Sequence, residues 1–221
     1  MAYDPSYAQY IDHTVLKADT TQETLLRFCS EAKQYHFASV CVNPCNVAFV
    51  ARQLEGSGVK TAAVVGFPLG ANKTSIKAAE AREAIADGAS EIDMVINIGA
   101  LKDGRLDFVR EDIRAVVAAS HPTAIVKVII EESALSPDEI AAAARLVMEA
   151  GGDFVKTSTG FGSGGATEEG VTLIRSVVGD RCRIKASTGI NNRAICVNFL
   201  RLGVTRFGTS KGIRIVEDTE A

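Results

Sequence analysis

One unit recurs four times along this chain and constrains it more than any other feature: an apolar helical stretch, a glycine that closes it, and at once a short β-rich run. The segments are ARQLEGSGVKTAAVV, AREAIADGASEIDMVI, ARLVMEAGGDFVKTS and VNFLRLGVTRFGTS. Each is half of a βα unit, and a chain that repeats it has few ways to bury all of its apolar faces. The glycines Gly58, Gly88, Gly151 and Gly203 are expected at helix C-termini, where a left-handed residue without a Cβ carries no steric penalty. Helix starts are also legible. Ser136-Pro137-Asp138-Glu139 spells a capping box with proline in the first turn, and Thr167-Glu168-Glu169 sets two acids at the positive end of a helix dipole.

There are eight β-rich runs, YIDHT, ASVCV, TAAVVGF, EIDMVI, IVKVIIE, DFVKTS, RIKAS and RFGTS, with helical patterns between all of them. Strands that alternate with helices predict a parallel sheet, and eight such units close most economically into a (β/α)8 TIM barrel. With 221 residues, 47% of them hydrophobic, the chain can fill one sizeable core, so a single domain over 1–221 is expected. An open doubly wound sheet is the competitor. Gly160, Gly162 and Gly165 fit G-x-G-x-x-G, but a dinucleotide site needs an acid at the end of the next strand, and Asp180 comes before that strand. GFPLGANKTS fails as a P-loop at Asn72, where a glycine is required.

The net charge of −3 is spread without a basic block, which argues against nucleic acid or an anionic membrane as a partner. The stretch MAYDPSYAQYIDHT has neither the basic nor the apolar region of a leader, and no apolar run approaches the roughly 20 residues of a membrane helix. A cytoplasmic location is expected. The five cysteines are odd in number and scattered through apolar stretches, which suits reduced thiols. Cys41 and Cys45 alone are close, and His13, His36 and His121 form no pair that would complete a zinc site, so no metal is expected.

The chemistry lies in polar residues on strands that should be apolar on both sides. Alternation sends Val155, Ile184, Ile92 and Met94 to the helix layer and turns Lys156, Lys185 and Asp93 inward. The same parity places Asp12 and Lys127 inside. A buried ion pair that sets register would account for Asp12 and Lys127. Lys156 and Lys185 are different, because they lie on consecutive strands near the C-terminal ends, the face where barrel active sites occur. Two ammoniums about 6 Å apart repel by roughly 3 kcal/mol at an effective dielectric near 20, or about two pKa units. Desolvation acts in the same direction, so one amine becomes a nucleophile for a carbonyl. Thr157, Ser158 and Thr159 offer hydroxyls to a small polyol, and Gly160 to Gly165 let backbone approach it. The turns STGINN and GTSKG, with Gly189, Gly208, Ser210 and Lys211, read equally as phosphate-binding turns or as ordinary βα loops.

IDHTVLK, CVNP, VVGFPLGANKT, EIDMVINIGALK, VKVIIEE, DFVKTSTGF, KASTGI and RFGTSKG, in that order, closely resemble the deoxyribose-phosphate aldolases over nearly the whole chain. The resemblance implies a class I aldolase, free of metal and cofactor, that cleaves 2-deoxy-D-ribose 5-phosphate to acetaldehyde and glyceraldehyde 3-phosphate. It implies Lys156 as the Schiff-base lysine, Lys185 as the second lysine that lowers its pKa, and Asp93 as the proton-transfer carboxylate. Asp12, Thr14, Cys41, Lys127 and Thr159 are assigned to the substrate region on the same ground, with the sugar phosphate and its aldehydes as partners. Barrels of this kind often pair as homodimers. The chain departs from the pattern at Thr188, where KASGG has its first glycine, at Lys211, where GTSSG has a serine, and at Phe161, where some members carry a basic residue. A class I aldolase with another short donor, or a sugar-phosphate binding barrel without turnover, are the alternatives.

Overall fold

The computed structural model describes residues 4–218. Eight strands among them, β1 (Ile11–Thr14), β2 (Ser39–Val42), β3 (Lys60–Val65), β4 (Glu91–Val95), β5 (Ile125–Ile129), β6 (Phe154–Lys156), β7 (Arg183–Ser187) and β8 (Arg206–Thr209), pair in parallel and in chain order into a closed barrel. Around it run α1 (Gln22–Tyr35), α2 (Val47–Leu54), α3 (Thr74–Ala86), α4 (Ile98–Lys102), α5 (Leu106–Ser120), α6 (Pro137–Glu149), α7 (Glu168–Val178), α8 (Arg193–Arg201) and α9 (Gly212–Glu217). This is the (β/α)8 architecture expected, and each observed strand lies within one of the eight runs or differs from it by a residue at an end. Among the described residues no helix is long and apolar enough to cross a membrane.

The main core lies between barrel and helices. Outward-facing Val40, Val42, Ile92, Met94, Val126, Val128, Val155, Ile184, Ala186 and Phe207 join the apolar stripes of the helices in one continuous cluster. A separate small cluster, Leu16, Cys41, Ala62 and Val64 with Phe67 packed on it, faces the lumen from the β1–β3 side.

Helix ends follow local chemistry. Ser136 accepts from the Glu139 backbone while the Glu139 side chain accepts from the Ser136 backbone, completing the capping box at α6, and Thr167 caps α7. Gly88, Gly151 and Gly203 take positive φ just past the ends of α3, α6 and α8. Gly58 does not cap a helix. The helix α2 stops at Leu54, whose carbonyl accepts from both the backbone N–H and the hydroxyl of Ser57, so the terminal acceptor is satisfied before the chain reaches Gly58. Gly58 keeps its positive φ in the turn that follows.

Candidate active site

The short strand β6 delivers Lys156, and the pairing register sets it directly opposite Lys185 of β7. Asp93 of β4 pairs with Lys127 of β5 in the same way. The five ionisable residues that the sequence reading turns inward, Asp12, Asp93, Lys127, Lys156 and Lys185, meet in the lumen. Asp12, Asp93, Lys127 and Lys185 are fully buried, and Lys156 retains 3% exposure. Lys156 Nζ and Lys185 Nζ each donate to the same oxygen, Asp93 Oδ2, at 2.7 Å, so the two nitrogens are no further apart than twice that distance. Lys127 Nζ donates to Asp93 Oδ1 at 2.7 Å. Asp12 accepts from Lys185 at 2.5 Å through Oδ2 and from Ser39 at 2.6 Å through Oδ1.

Two members of the cluster carry no role in the sequence reading. Glu91 Oε2 lies 2.6 Å from Lys127 Nζ, and Arg206 Nη1 lies 2.6 Å from Asp12 Oδ1 and 3.0 Å from Glu91 Oε2. The signal for both is present in the sequence, since Glu91 shares the parity of Asp93, and Phe207, packed in the outer core, turns Arg206 inward. They begin β4 and β8 and so sit toward the N-terminal floor, whereas Lys156 ends β6 at the mouth.

The electrostatics separate the two lysines. Burial is the main influence that depresses the Lys156 pKa; Asp93 works against it, and Lys185 adds to the depression. Repulsion between two bare ammoniums is thus not the leading cause, because the Asp93 carboxylate stands between them and offsets it. Burial also acts on Lys185, but Asp12 and Asp93 outweigh it and raise that pKa. Asp93, despite burial, is held well below the usual carboxylate range by Lys127, Lys156 and Lys185. One amine is driven toward its neutral form beside an ammonium and a carboxylate whose resting charges are both favoured. Cys41 is buried against the same group, and burial followed by the Asp93 charge pushes its thiol up to about 11, so it stays protonated at neutral pH.

The remaining residues of the sequence reading are spread around the mouth. Thr14 donates to the Asp12 carbonyl at 2.8 Å. Thr157 ties β6 to β7 by accepting from the Ser187 backbone at 3.1 Å, and Ser158 donates to Thr157, so both hydroxyls serve the barrel wall. Thr159 donates its hydroxyl to Glu131 and accepts from the Phe161 backbone at 3.0 Å. Gly160 and Gly189 have φ of +87° and +84°, and a Cβ on Gly189 would meet open space. Gly208 has no such φ, but a Cβ there would lie 2.4 Å from Ser187 Oγ and would force that side chain to move. Ser210 and Lys211 are exposed on the rim, away from the ionic cluster. Thr188 takes a left-handed φ of 68°, the conformation for which a glycine is suited at that turn. Phe161, 57% exposed, packs edge-on against Phe67 at 5.3 Å between centroids and extends the apolar wall of the lumen outward.

Comparison with known proteins agrees over nearly the full length. A family model described as DeoC/LacD family aldolase matches residues 6–198. Deoxyribose-phosphate aldolase of Geobacillus sp. (strain WCH70) is 52% identical, with 97% of this chain and 96% of the relative covered. The protein of the same name from Clostridium tetani (strain Massachusetts / E88) is 50% identical over 96% of this chain and 98% of its own. Among solved structures, the tetrameric deoxyribose phosphate aldolase from Aeropyrum pernix superposes with a TM-score of 0.90 at 29% identity, covering 97% of this chain and 91% of that one.

Proposed function

The chain belongs to the DeoC/LacD family of aldolases, and from that membership we propose that it cleaves 2-deoxy-D-ribose 5-phosphate reversibly to acetaldehyde and glyceraldehyde 3-phosphate, with Lys156 as the amine that forms the Schiff base. As an aldolase it is a lyase acting on small sugar phosphates. One observation carries the assignment of roles: Lys156 and Lys185, opposite each other on β6 and β7, converge on a single oxygen of Asp93.

The neutral Lys156 amine attacks the open-chain aldehyde carbon, and the carbinolamine loses water to give an iminium. Asp93, in contact with both amines, takes up and returns the protons of these steps, with water as the carrier to and from the mouth. The iminium then accepts the electron pair of the breaking C2–C3 bond while the C3 hydroxyl loses its proton and becomes the aldehyde of the departing glyceraldehyde 3-phosphate. Protonation and hydrolysis of the remaining enamine release acetaldehyde and restore Lys156. Lys185 keeps its charge throughout, which stabilises the anionic form of Asp93 and opposes protonation of Lys156. Asp12, Thr14, Cys41, Lys127 and Thr159 shape the base and wall of the substrate space. The turns holding Gly189, Gly208, Ser210 and Lys211 face the phosphate, and Lys211 supplies a cation there in place of a serine hydroxyl. The chain works in the cytoplasm on this reading. A homodimer would set it apart from the tetrameric Aeropyrum pernix protein, and sedimentation decides between them.

Borohydride reduction in the presence of 2-deoxyribose 5-phosphate tests the reading. A mass gain on the peptide containing Lys156, with acetaldehyde as product, is the expected result. Turnover of the sugar without any adduct, or an adduct on Lys185, overturns it.

A further inference from the structure

Followed contact by contact, the buried ionic groups do not form a loose cluster. Asp93 Oδ1 meets Lys127 at 2.7 Å, Lys127 meets Glu91 at 2.6 Å, Glu91 meets Arg206 at 3.0 Å, Arg206 meets Asp12 at 2.6 Å, Asp12 meets Lys185 at 2.5 Å, and Lys185 returns to Asp93 Oδ2 at 2.7 Å. The circuit is closed and its charges alternate, three carboxylates with three cations, so it is neutral as a unit. Lys156 hangs outside it on Asp93 Oδ2. A proton on Lys156 therefore gives a water-poor lumen an uncompensated positive charge, which is costly. Arg206 is the far corner of the circuit from Lys156. It bridges two carboxylates, Asp12 and Glu91, and lies 5.7 Å over the Phe154 ring.

We propose that Arg206 and Glu91 are positioning residues for the lysine chemistry: by closing a neutral ring of alternating charges beneath the pocket, they leave Lys156 as the one cation of the group without a carboxylate of its own, and so set the pH at which its amine becomes free. The inference rests on Lys156 being the Schiff-base amine. Every charged wall facing Lys156 enters it: Asp93 and Glu91 from β4, Lys127 from β5, Lys185 from β7, Arg206 from β8 and Asp12 from β1. The Cys41 thiol from β2 and the Ala62 and Val64 side chains from β3 complete the surroundings and add no charge at neutral pH.

The two corners must act in opposite directions. Removing the Arg206 charge leaves the carboxylates in excess, favours a proton on Lys156 and moves the acid limb of the kcat/KM profile to higher pH; removing the Glu91 charge leaves the ring positive and moves that limb to lower pH. The experiment compares pH profiles of the parent, Arg206→Met, Arg206→Lys and Glu91→Gln, with borohydride mapping of each. The expected result is an upward shift for Arg206→Met, a downward shift for Glu91→Gln, and a limb near the parent's for Arg206→Lys, with the adduct on Lys156 throughout. A supporting role alone would lower stability and leave the limbs in place. Limbs that coincide with the parent's, or that move the same way in Arg206→Met and Glu91→Gln, overturn the inference while the adduct keeps the aldolase reading intact. Absence of a Lys156 adduct in the parent overturns that reading instead. If Arg206→Met does not fold, the near-isosteric Glu91→Gln still decides, since its limb must fall while that of Arg206→Lys does not.

Discussion

Among the described residues, lysine is buried beside aspartate in two places, and only one of them resembles a reaction centre. Between α3 and α5, Lys77 is fully buried and donates to Asp112 Oδ2 at 2.6 Å and to the Val95 carbonyl at 2.8 Å, while Asp112 Oδ1 accepts from Thr74 at 2.7 Å. Burial depresses the pKa of Lys77 just as it does that of Lys156. What differs is stoichiometry and access. Lys77 has a contacting carboxylate of its own in Asp112, feels a second in Glu80, and is sealed by helices, so its charge is compensated and nothing can reach it. In the lumen four cations share three carboxylates, and the surplus one stands at the open end of the barrel. A depressed lysine pKa by itself does not mark a nucleophile; an unmatched charge within reach of a substrate does.

Substitutions that exchange the properties of the two sites test this contrast. The largest effect is expected from Lys156→Ala, which should lower turnover by about a thousandfold or more and abolish trapping, whereas Lys77→Met keeps the adduct on Lys156. A trapped adduct in the first variant, or its loss in a folded second one, would break the distinction. Next, Lys77→Met should cost about 3–5 kcal/mol of stability by stranding Asp112, while the double replacement Lys77→Met with Asp112→Leu should recover most of it, because a matched pair can give way to packed apolar groups. Denaturant melts with a double-mutant cycle measure both. Lys185→Leu should reduce turnover by about a hundredfold at neutral pH and carry the acid limb upward, as the loss of a neighbouring cation favours a proton on Lys156; an unmoved limb contradicts the role given to Lys185.

Two smaller effects sharpen the picture. Asp12 and Asp93 have folded pKa values held below those of the unfolded chain, so the stability they contribute is complete above about pH 4 and is lost as pH falls toward the folded values. Thermal melts between pH 6 and pH 3 should show this loss, and Asp12→Asn should flatten it. The smallest change is expected from Thr188→Gly, which releases a left-handed φ and should raise stability by at most about 1 kcal/mol, with any change in the KM for the phosphorylated sugar reporting on the turn itself.

Much of the barrel was legible because its rules are local. Apolar helical stripes, capping residues and alternating strand faces repeat with fixed periods, and the parity of Lys156, Lys185, Asp93, Asp12 and Lys127 follows from which neighbours need the helix layer. Glu91 and Arg206 obey the same parity but begin their strands, where a charged residue reads as a solvated edge, so nothing local separates an end from a ring member. Gly58 departs from its expected place for a similar reason: Ser57 takes up the last carbonyl of α2 first, and a positive φ suits the turn as well as it suits a cap.

The sequence by itself determined the number and order of βα units, the inward parity of the ionisable residues and, through its resemblance to a family, the kind of chemistry. The tertiary structure decided which charge neutralises which: that Asp93 stands between the two lysines, that six groups close into a neutral ring, and that Lys156 is left over. Pairing of charges depends on distances between strands remote in the chain, and a one-dimensional pattern of residue types holds no such distances.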